Sequence, residues 1–509
     1  MRSNAQRVMT GLMLVTLTLL ATPLLAADKP NVLVIMVDDV APNALGAYSL
    51  GMQYPTPNID RIANEGVLFT DHYAQPSCTA GRAAFLMGQL PVRTGLTTVG
   101  QPGNPLGIQP EDPTLAEVLR EEGYMTAQFG KNHLGDLDRH LPTLHGFDEF
   151  YGNLYHLNVS EEPEQADYPT SEEFRAQFLP RGVIEAVADG NGGQTVRDTG
   201  PLTIERMKTF DEEILARTVG FMERASREDT PFFIWHATSR MHVYTHLKEE
   251  SEHLAAGISS AEDKFGSGLM EHDGHVGLLL DKLDDLGIAD DTIVIYTTDN
   301  GPESTTWPDA GVTMFRGEKM TTWEGGVRAP FLVRWPGHIP AGLRLNGISS
   351  HEDVLPTIAA AAGRPNIIEE LRESHDVMID GVNNLDYWTG QAEASARNHF
   401  FYYYESSLTA IRVGPWKLHF ATKPGGRYYE DLVFHTMPKL FNLRKDPFEH
   451  YDGDIGFHQI MRKSWVFQPM LAILTEHLKT FEAFPPRQEA ASLNINEAIE
   501  RAQSAIHRQ

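Results

Sequence analysis

Asn31-Val32-Leu33-Val34-Ile35-Met36-Val37, followed at once by Asp38-Asp39, decides the architecture of this chain. The run is apolar and largely β-branched, with no polar alternation. Such a run reads as a strand buried on both faces, the kind found in a parallel sheet covered by helices. The two carboxylates at its end repel each other unless a cation lies between them. An Asp-Asp pair also serves as a turn or helix cap, and taken alone the two readings stand level.

Working outward, strands and helices alternate. Residues 56–66 read as a helix capped by Thr56, with Pro57 in the first turn and Gly66 at the stop. Residues 67–70 return as a strand that leads to Tyr73, Gln75 and Cys78. Thr114-Leu115-Ala116-Glu117 is a capping box. The strand at 124–129 delivers Gly130-Lys131-Asn132-His133-Leu134-Gly135, and the one at 231–235 runs into His236 and then Arg240-Met241-His242. Val276, Leu279, Leu280, Leu283 and Leu286 fall at helical spacing. The strand at 292–298 ends in Asp299-Asn300-Gly301.

This alternation predicts an α/β fold with a large, mainly parallel β-sheet flanked by helices on both faces. In such sheets, sites gather at the carboxyl ends of strands. Asp38, Asp39, Lys131, His236, Asp299 and Asn300 all follow predicted strand ends and are expected along one edge. Residues 156–205 are polar and weakly periodic, and read as an insertion or lid over that edge. Short antiparallel strands at 400–404, 410–413, 416–420 and 440–447 predict a smaller C-terminal α+β subdomain. The expected division is 28–395 for the large α/β domain and 396–509 for the subdomain.

Residues 1–27 read as a signal peptide: Arg2 and Arg7, a short apolar run, then small residues near a cleavage point. The run is too short for stable membrane insertion, so an exported, periplasmic protein is expected. A net charge of −27 over 509 residues argues against nucleic acid or anionic lipid as partners.

The single cysteine has no partner for an intramolecular disulfide. It lies in Pro76-Ser77-Cys78-Thr79-Ala80-Gly81-Arg82, ahead of a helical pattern. A helix start favours a bound anion, and Arg82 one turn on faces the same way. The plainer reading is a buried cysteine acting as a small hydrophobe. Asp38, Asp39, Asp299 and Asn300 offer oxygen alone, which favours calcium, and magnesium less, over softer metals.

Read together, these segments resemble the sulfatase family of arylsulfatase-like enzymes. The resemblance rests on Asp38-Asp39, the Cys78-to-Arg82 motif, Gly130 to Gly135, His242 in its Arg240-Met241-His242 setting and Thr298 to Gly301. It continues through Gly317-Glu318-Lys319 to Ala329-Pro330, all in family order. Trp416-Lys417-Leu418 and residues 440–447 resemble the family's C-terminal subdomain. This chain has Ala80 where the commonest motif has Pro, and Gly81 where it often has Ser.

The resemblance implies hydrolysis of a small-molecule or glycan sulfate ester. Cys78 would be converted to formylglycine by a formylglycine-generating maturation enzyme. The metal would be held by Asp38, Asp39, residue 78, Asp299 and Asn300. The hydrated aldehyde would attack sulfur, with Arg82, Lys131, His242 and Lys319 around the sulfuryl oxygens. His242 or Lys319 would protonate the leaving oxygen, and His133 would take the proton that releases sulfate. His156, His236 and His246 read as structural. Trp307 and Asp309 are candidates for the leaving-group pocket. A phosphodiester or phosphonate monoester hydrolase and a non-catalytic sulfoglycan-binding protein are the competing readings.

Overall fold

The computed structural model describes residues 29–258, 264–307 and 309–494; the signal-peptide expectation lies outside them. The opening run forms β1 (Asn31–Val37), which is buried beyond its first residue. The strands that follow are β2 (Val67–Phe69), β3 (His72–Tyr73), β4 (Met125–Gly130), β5 (Glu149–Gly152), β6 (Ile184–Ala188) and β7 (Gln194–Asp198). Then come β8 (Phe232–Ala237), β9 (Thr292–Thr298), β10 (Phe331–Arg334), β11 (Leu343–Leu345) and β12 (Ser349–Ser350). The C-terminal part adds β13 (His399–Tyr404), β14 (Ser407–Val413), β15 (Trp416–Thr422) and β16 (Val433–Asn442).

Ten of these strands make one sheet in the order β11-β2-β10-β9-β1-β8-β4-β5-β6-β7. Its centre, from β9 through β1, β8 and β4 to β5, is parallel throughout. β10 and β6 run against that direction.

The two faces of β1 explain its composition. Val32, Val34 and Met36 pack with Ala83 and Phe85 of the helix Cys78–Met87, with Leu115 of Leu115–Glu121, and with Leu355 of Val354–Ala361. Leu33, Ile35 and Val37 pack with Ile59 and Ile62 of Pro57–Glu65, Ile214 of Phe210–Arg227 and Leu280 of Lys264–Asp285. A strand apolar on every residue is what two helical layers require.

β13 to β16 form a separate four-stranded antiparallel sheet. The helix Phe467–Ala483 packs on it through Met470 beside Ile411 and Leu418. Among the described residues, no helix is long and apolar enough to cross a membrane.

The structure corrects the reading of residues 156–205. Within them β6 and β7 form a hairpin that extends the large sheet through β5. Ile184 and Ala186 alternate inward onto Phe150 and Tyr155. One apolar face so short leaves little periodicity for a sequence reading to detect.

Candidate active site

Parallel pairing brings the acidic ends together. Val37 of β1 is in register with Thr298 of β9, so Asp38-Asp39 and Asp299-Asn300 leave the sheet side by side. The helix Cys78–Met87 starts against them, with Ser77 at its N-cap. Carboxylate oxygens of Asp38, Asp39 and Asp299 and the Cys78 sulfur all lie within 4.8 Å of one another. Cys78 Sγ is 3.6 Å from Asp38 Oδ1 and 3.9 Å from Asp39 Oδ1. Asn300 Nδ2 donates to Asp39 Oδ1 at 2.6 Å and to the Gly301 carbonyl at 2.7 Å. Asn300 Oδ1 is left buried with no hydrogen-bond partner.

This donor set fits a hard divalent cation. Three carboxylates share one buried site with an orphaned amide oxygen, and a buried acceptor without a donor is costly. Positive charge already borders it. Lys131 Nζ lies 2.5 Å from Asp38 Oδ2, and Lys319 Nζ lies 2.8 Å from Asp39 Oδ2. Burial opposes ionisation of Asp38, but Lys131, His242, Arg82 and Lys319 outweigh it and hold its carboxyl well below the usual range. Burial pushes Asp39 up to about 8 against the pull of Lys319, with Asp38 and Asp299 adding to the push. The same strand end thus carries one carboxylate favoured as the anion and one that needs a further cation.

Arg82 is expected at the sulfuryl oxygens, and its contacts here are with the acidic ends. Its Nε donates to Asp299 Oδ2 at 2.9 Å and its Nη1 to the Lys131 carbonyl at 3.0 Å. Its Nη2 lies 2.7 Å from the same Asp299 oxygen. Arg82 therefore fixes Asp299 and the Lys131 turn relative to each other. Burial and Asp38 push the Cys78 thiol up, against Lys131 and Lys319. A thiol kept protonated is a poor nucleophile.

Three imidazoles follow. His242 Nδ1 donates to the Val243 carbonyl at 2.6 Å, which fixes the tautomer and turns Nε2 towards Asp39 Oδ2, 3.9 Å away. Its loop is tied to the strand end: Asp38 N donates to the Arg240 carbonyl at 2.9 Å, and Met241 N to the Asp38 carbonyl at 3.0 Å. His133 is buried with no hydrogen-bond partner on either ring nitrogen. The His156 ring lies 5.6 Å from that of His133 and 5.8 Å, stacked, from that of His242. Burial holds all three below their ordinary value, His156 at about 3, with Lys131 adding to the effect in each case.

His156, read as structural from sequence, thus sits between two candidate catalytic histidines. Two other histidines lie apart. His236 is inside β8, not beyond its end as expected, and meets Thr218 Oγ1 at 2.8 Å. His246 Nε2 pairs with Glu161 at 2.8 Å.

Sequence reasoning missed two groups. Glu303 lies 3.6 Å from Lys319 Nζ, and its place just after Asn300 was a usable signal. Tyr428 comes from the loop between β15 and β16; burial raises its phenol to about 12, opposed by Lys319 and helped by Glu303, Cys78 and Asp39. No spacing could have found it. Trp307 lines an open groove of about 400 Å³ beside Ser304, Glu318 and Arg427, while Asp309 instead accepts from Lys264 N at 3.2 Å.

Comparison with known proteins agrees with this geometry. The Sulfatase family model matches residues 30–364, and the model for the C-terminal region of aryl-sulfatase matches residues 395–504. Arylsulfatase A of Bos taurus is 34% identical over 501 residues, covering 93% of each chain. N-acetylgalactosamine-6-sulfatase of Homo sapiens is 31% identical over 457 residues, covering 84% of this chain and 82% of its own. The crystal structure of PsFucS1 sulfatase from Pseudoalteromonas sp. superposes with a TM-score of 0.81 at 31% identity, covering 90% of this chain and 92% of that one.

Proposed function

Because the chain belongs to the sulfatase family and is a sulfuric ester hydrolase, we propose that it acts through a formylglycine made from Cys78. We further propose that Asp38, Asp39, Asp299 and Asn300 hold calcium, with magnesium the second choice. The observation that carries the reading is the setting of Cys78. It is fully buried at a helix start, among three carboxylates, and its thiol is held in the protonated form. A cysteine placed there is unsuited to act as it stands, and suited to be replaced by an oxygen-bearing group beside a cation.

When present, the hydrated aldehyde supplies one hydroxyl to attack sulfur and a second whose proton loss expels sulfate. An ion held by Asp38, Asp39, Asp299 and Asn300 would supply positive charge to that chemistry. The side chains do the rest. Lys131 beside Asp38 and Lys319 beside Asp39 border the acidic cluster and can stabilise negative charge on the sulfuryl oxygens. Neutral His242, with Nδ1–H committed to Val243, presents Nε2 as an acceptor. Lys319 is therefore the better donor of a proton to the leaving oxygen. His133 is neutral, with neither ring nitrogen in a hydrogen bond, and is the candidate to take the proton that releases sulfate. Arg82 keeps Asp299 in place.

The apolar run after Arg2 and Arg7 supports export to the periplasm by a cleaved signal peptide, with 28–395 and 396–509 as the mature parts. The substrate is a small-molecule or glycan sulfate ester, and a maturation enzyme acts on Cys78. Peptide mass spectrometry across Cys78, paired with an aryl sulfate assay before and after chelation, tests the proposal. A thiol-to-aldehyde mass shift with chelator-sensitive turnover supports it. An intact thiol in active enzyme from the native host sinks the formylglycine route.

A further inference from the structure

We infer that the C-terminal sheet is a positioning element for Lys319. The segment that carries Lys319 runs from Gly317 to Arg328 and lies between the end of the large sheet and the C-terminal sheet. On the active-site side, Lys319 N donates to the Pro302 carbonyl at 2.9 Å and Met320 N to the Pro76 carbonyl at 2.7 Å, just before Cys78. On the opposite side, residues about a hundred positions later hold Glu318 and Thr322 to Glu324, with Tyr73 also donating to Glu324 Oε2 at 2.7 Å.

Lys417 of β15 donates to the Thr322 carbonyl and to Glu324 Oε1, both at 2.9 Å. Thr409 Oγ1 of β14 meets Thr322 Oγ1 at 2.9 Å. Trp323 Nε1 donates to the Lys423 carbonyl at 2.7 Å, and Glu324 N to Glu449 Oε2 at 2.7 Å. Tyr428 N donates to Glu318 Oε1 at 3.0 Å, one residue before Lys319.

The two segments also meet at a pair of glycines. A Cβ added at Gly426 would meet Gly317 Cα at 2.9 Å and Gly317 N at 3.2 Å. Those are backbone atoms, which cannot swing aside as a flexible side chain can. Gly426 is thus a positioning residue for the turn that presents Lys319. It lies in another subdomain and touches none of the residues assigned to the reaction.

A matched control exists in the same sheet. Gly414, in the turn between β14 and β15, also has a positive φ, 53° against 75° for Gly426, and nothing lies within 4 Å of an added Cβ. Alanine costs backbone strain at both positions. Only at Gly426 does it also press on the Lys319 segment.

The inference rests on the proposed role of Lys319 as proton donor to the leaving oxygen. Its test is a comparison of Gly426→Ala, Gly414→Ala and Lys319→Ala in the matured enzyme. The substrates are 4-nitrophenyl sulfate, a good leaving group, and a sugar sulfate, a poor one. The expected result is a fall in Tm for both glycine variants, larger for Gly426→Ala, which adds a backbone clash to the strain the two share. Gly426→Ala should lose kcat on the sugar sulfate by about tenfold or more, less on the aryl sulfate, with KM little changed. Gly414→Ala should keep the wild-type kcat on both. Thr409→Val, which removes the hydroxyl contact to Thr322, should show the same leaving-group bias on a smaller scale and serves if Gly426→Ala does not fold.

Equal kcat for the two glycine variants, or a loss blind to the leaving group, would overturn the inference while Lys319→Ala remained impaired. A Lys319→Ala enzyme with wild-type rates would remove both the role of Lys319 and the inference built on it.

Discussion

Gly81 stands where no side chain fits. A Cβ built on it would lie 1.8 Å from the Asp299 carbonyl oxygen, because the helix that starts at Cys78 rests directly on the strand end that carries Asp299 and Asn300. The commoner sulfatase motif often carries Ser at this place, so the substitution looks conservative on sequence alone. Here Gly81→Ser should push helix and strand end apart and destabilise by at least the roughly 1–3 kcal/mol of an overpacked core. A urea melt of the variant beside wild type measures it, and unchanged stability would show that the helix can shift. Asn300 gives the second prediction at this scale. Its Oδ1 is the orphaned oxygen of the cluster. Adding calcium to chelated protein should raise Tm, by an amount equivalent to about 2.7 kcal/mol at a hundred times the dissociation constant. Asn300→Ala should move that rise to higher calcium. A Tm indifferent to calcium and magnesium would count against the proposed ion. At this scale the sequence was informative about oxygen donors, since they end apolar runs. On sequence alone His156 reads as structural, because the two rings beside it are brought near only by folding.

β1, β9 and the apolar part of β8 were readable as elements because burial on both faces leaves an uninterrupted signal. The β6–β7 hairpin was not, because only one short face of it is buried. His236 shows a different limit. An imidazole ends an apolar run in the sequence, yet in the structure the strand continues through it, because Thr218 on the helix Phe210–Arg227 satisfies its Nδ1. No local pattern marks such a partner. Burial, opposed by Asp211 and helped by His275, lowers the His236 pKa to about 4 from an ordinary 6.5. The unfolded chain therefore takes up a proton near pH 6.5 that the native chain refuses until about pH 4. Stability falls as the medium is acidified through that window, by roughly 2 kcal/mol at pH 5 from this residue alone. His236→Gln cannot take up that proton. Its unfolding free energy should drop less than that of wild type between pH 7 and pH 5, a difference readable from urea unfolding at the two values. Equal drops would mean that His236 is protonated in the native strand.

The family resemblance lay in the order of segments along residues 38–330, each weak alone, which parallel strands then bring to one edge. The seam between the two sheets gave no such sign. Nothing in the sequence marks Asp71, Glu324, Lys417 and Glu449 as buried, since charged residues are seldom buried unless paired. Yet all four are buried together. Asp71 bridges Arg328 at 2.7 Å and Arg412 at 2.6 Å, while Lys417 Nζ lies 2.9 Å from Glu324 and 3.0 Å from Glu449. Burial opposes ionisation of Glu324, and Lys417, Arg328 and Arg412 outweigh it, so its carboxyl stays charged. A network of this kind contributes modestly when whole and is costly when broken, because removing one partner strands a desolvated charge. Lys417→Met should therefore destabilise the molecule by about 3–5 kcal/mol, far more than a surface charge would. Lys417→Met combined with Glu449→Gln should cost less than the sum of the two single changes, because the second removes a charge that the first left unpaired. The same network predicts how the molecule comes apart. Neither sheet can leave the seam without exposing the other's unpaired ions, so tryptophan fluorescence and far-ultraviolet circular dichroism should report one coincident unfolding transition in wild type. In Lys417→Met the seam is weakened from one side only. If the C-terminal sheet then melts first, in a separate transition, the seam is what joins the two sheets thermodynamically; if wild type itself unfolds in two steps, the seam holds position without coupling stability.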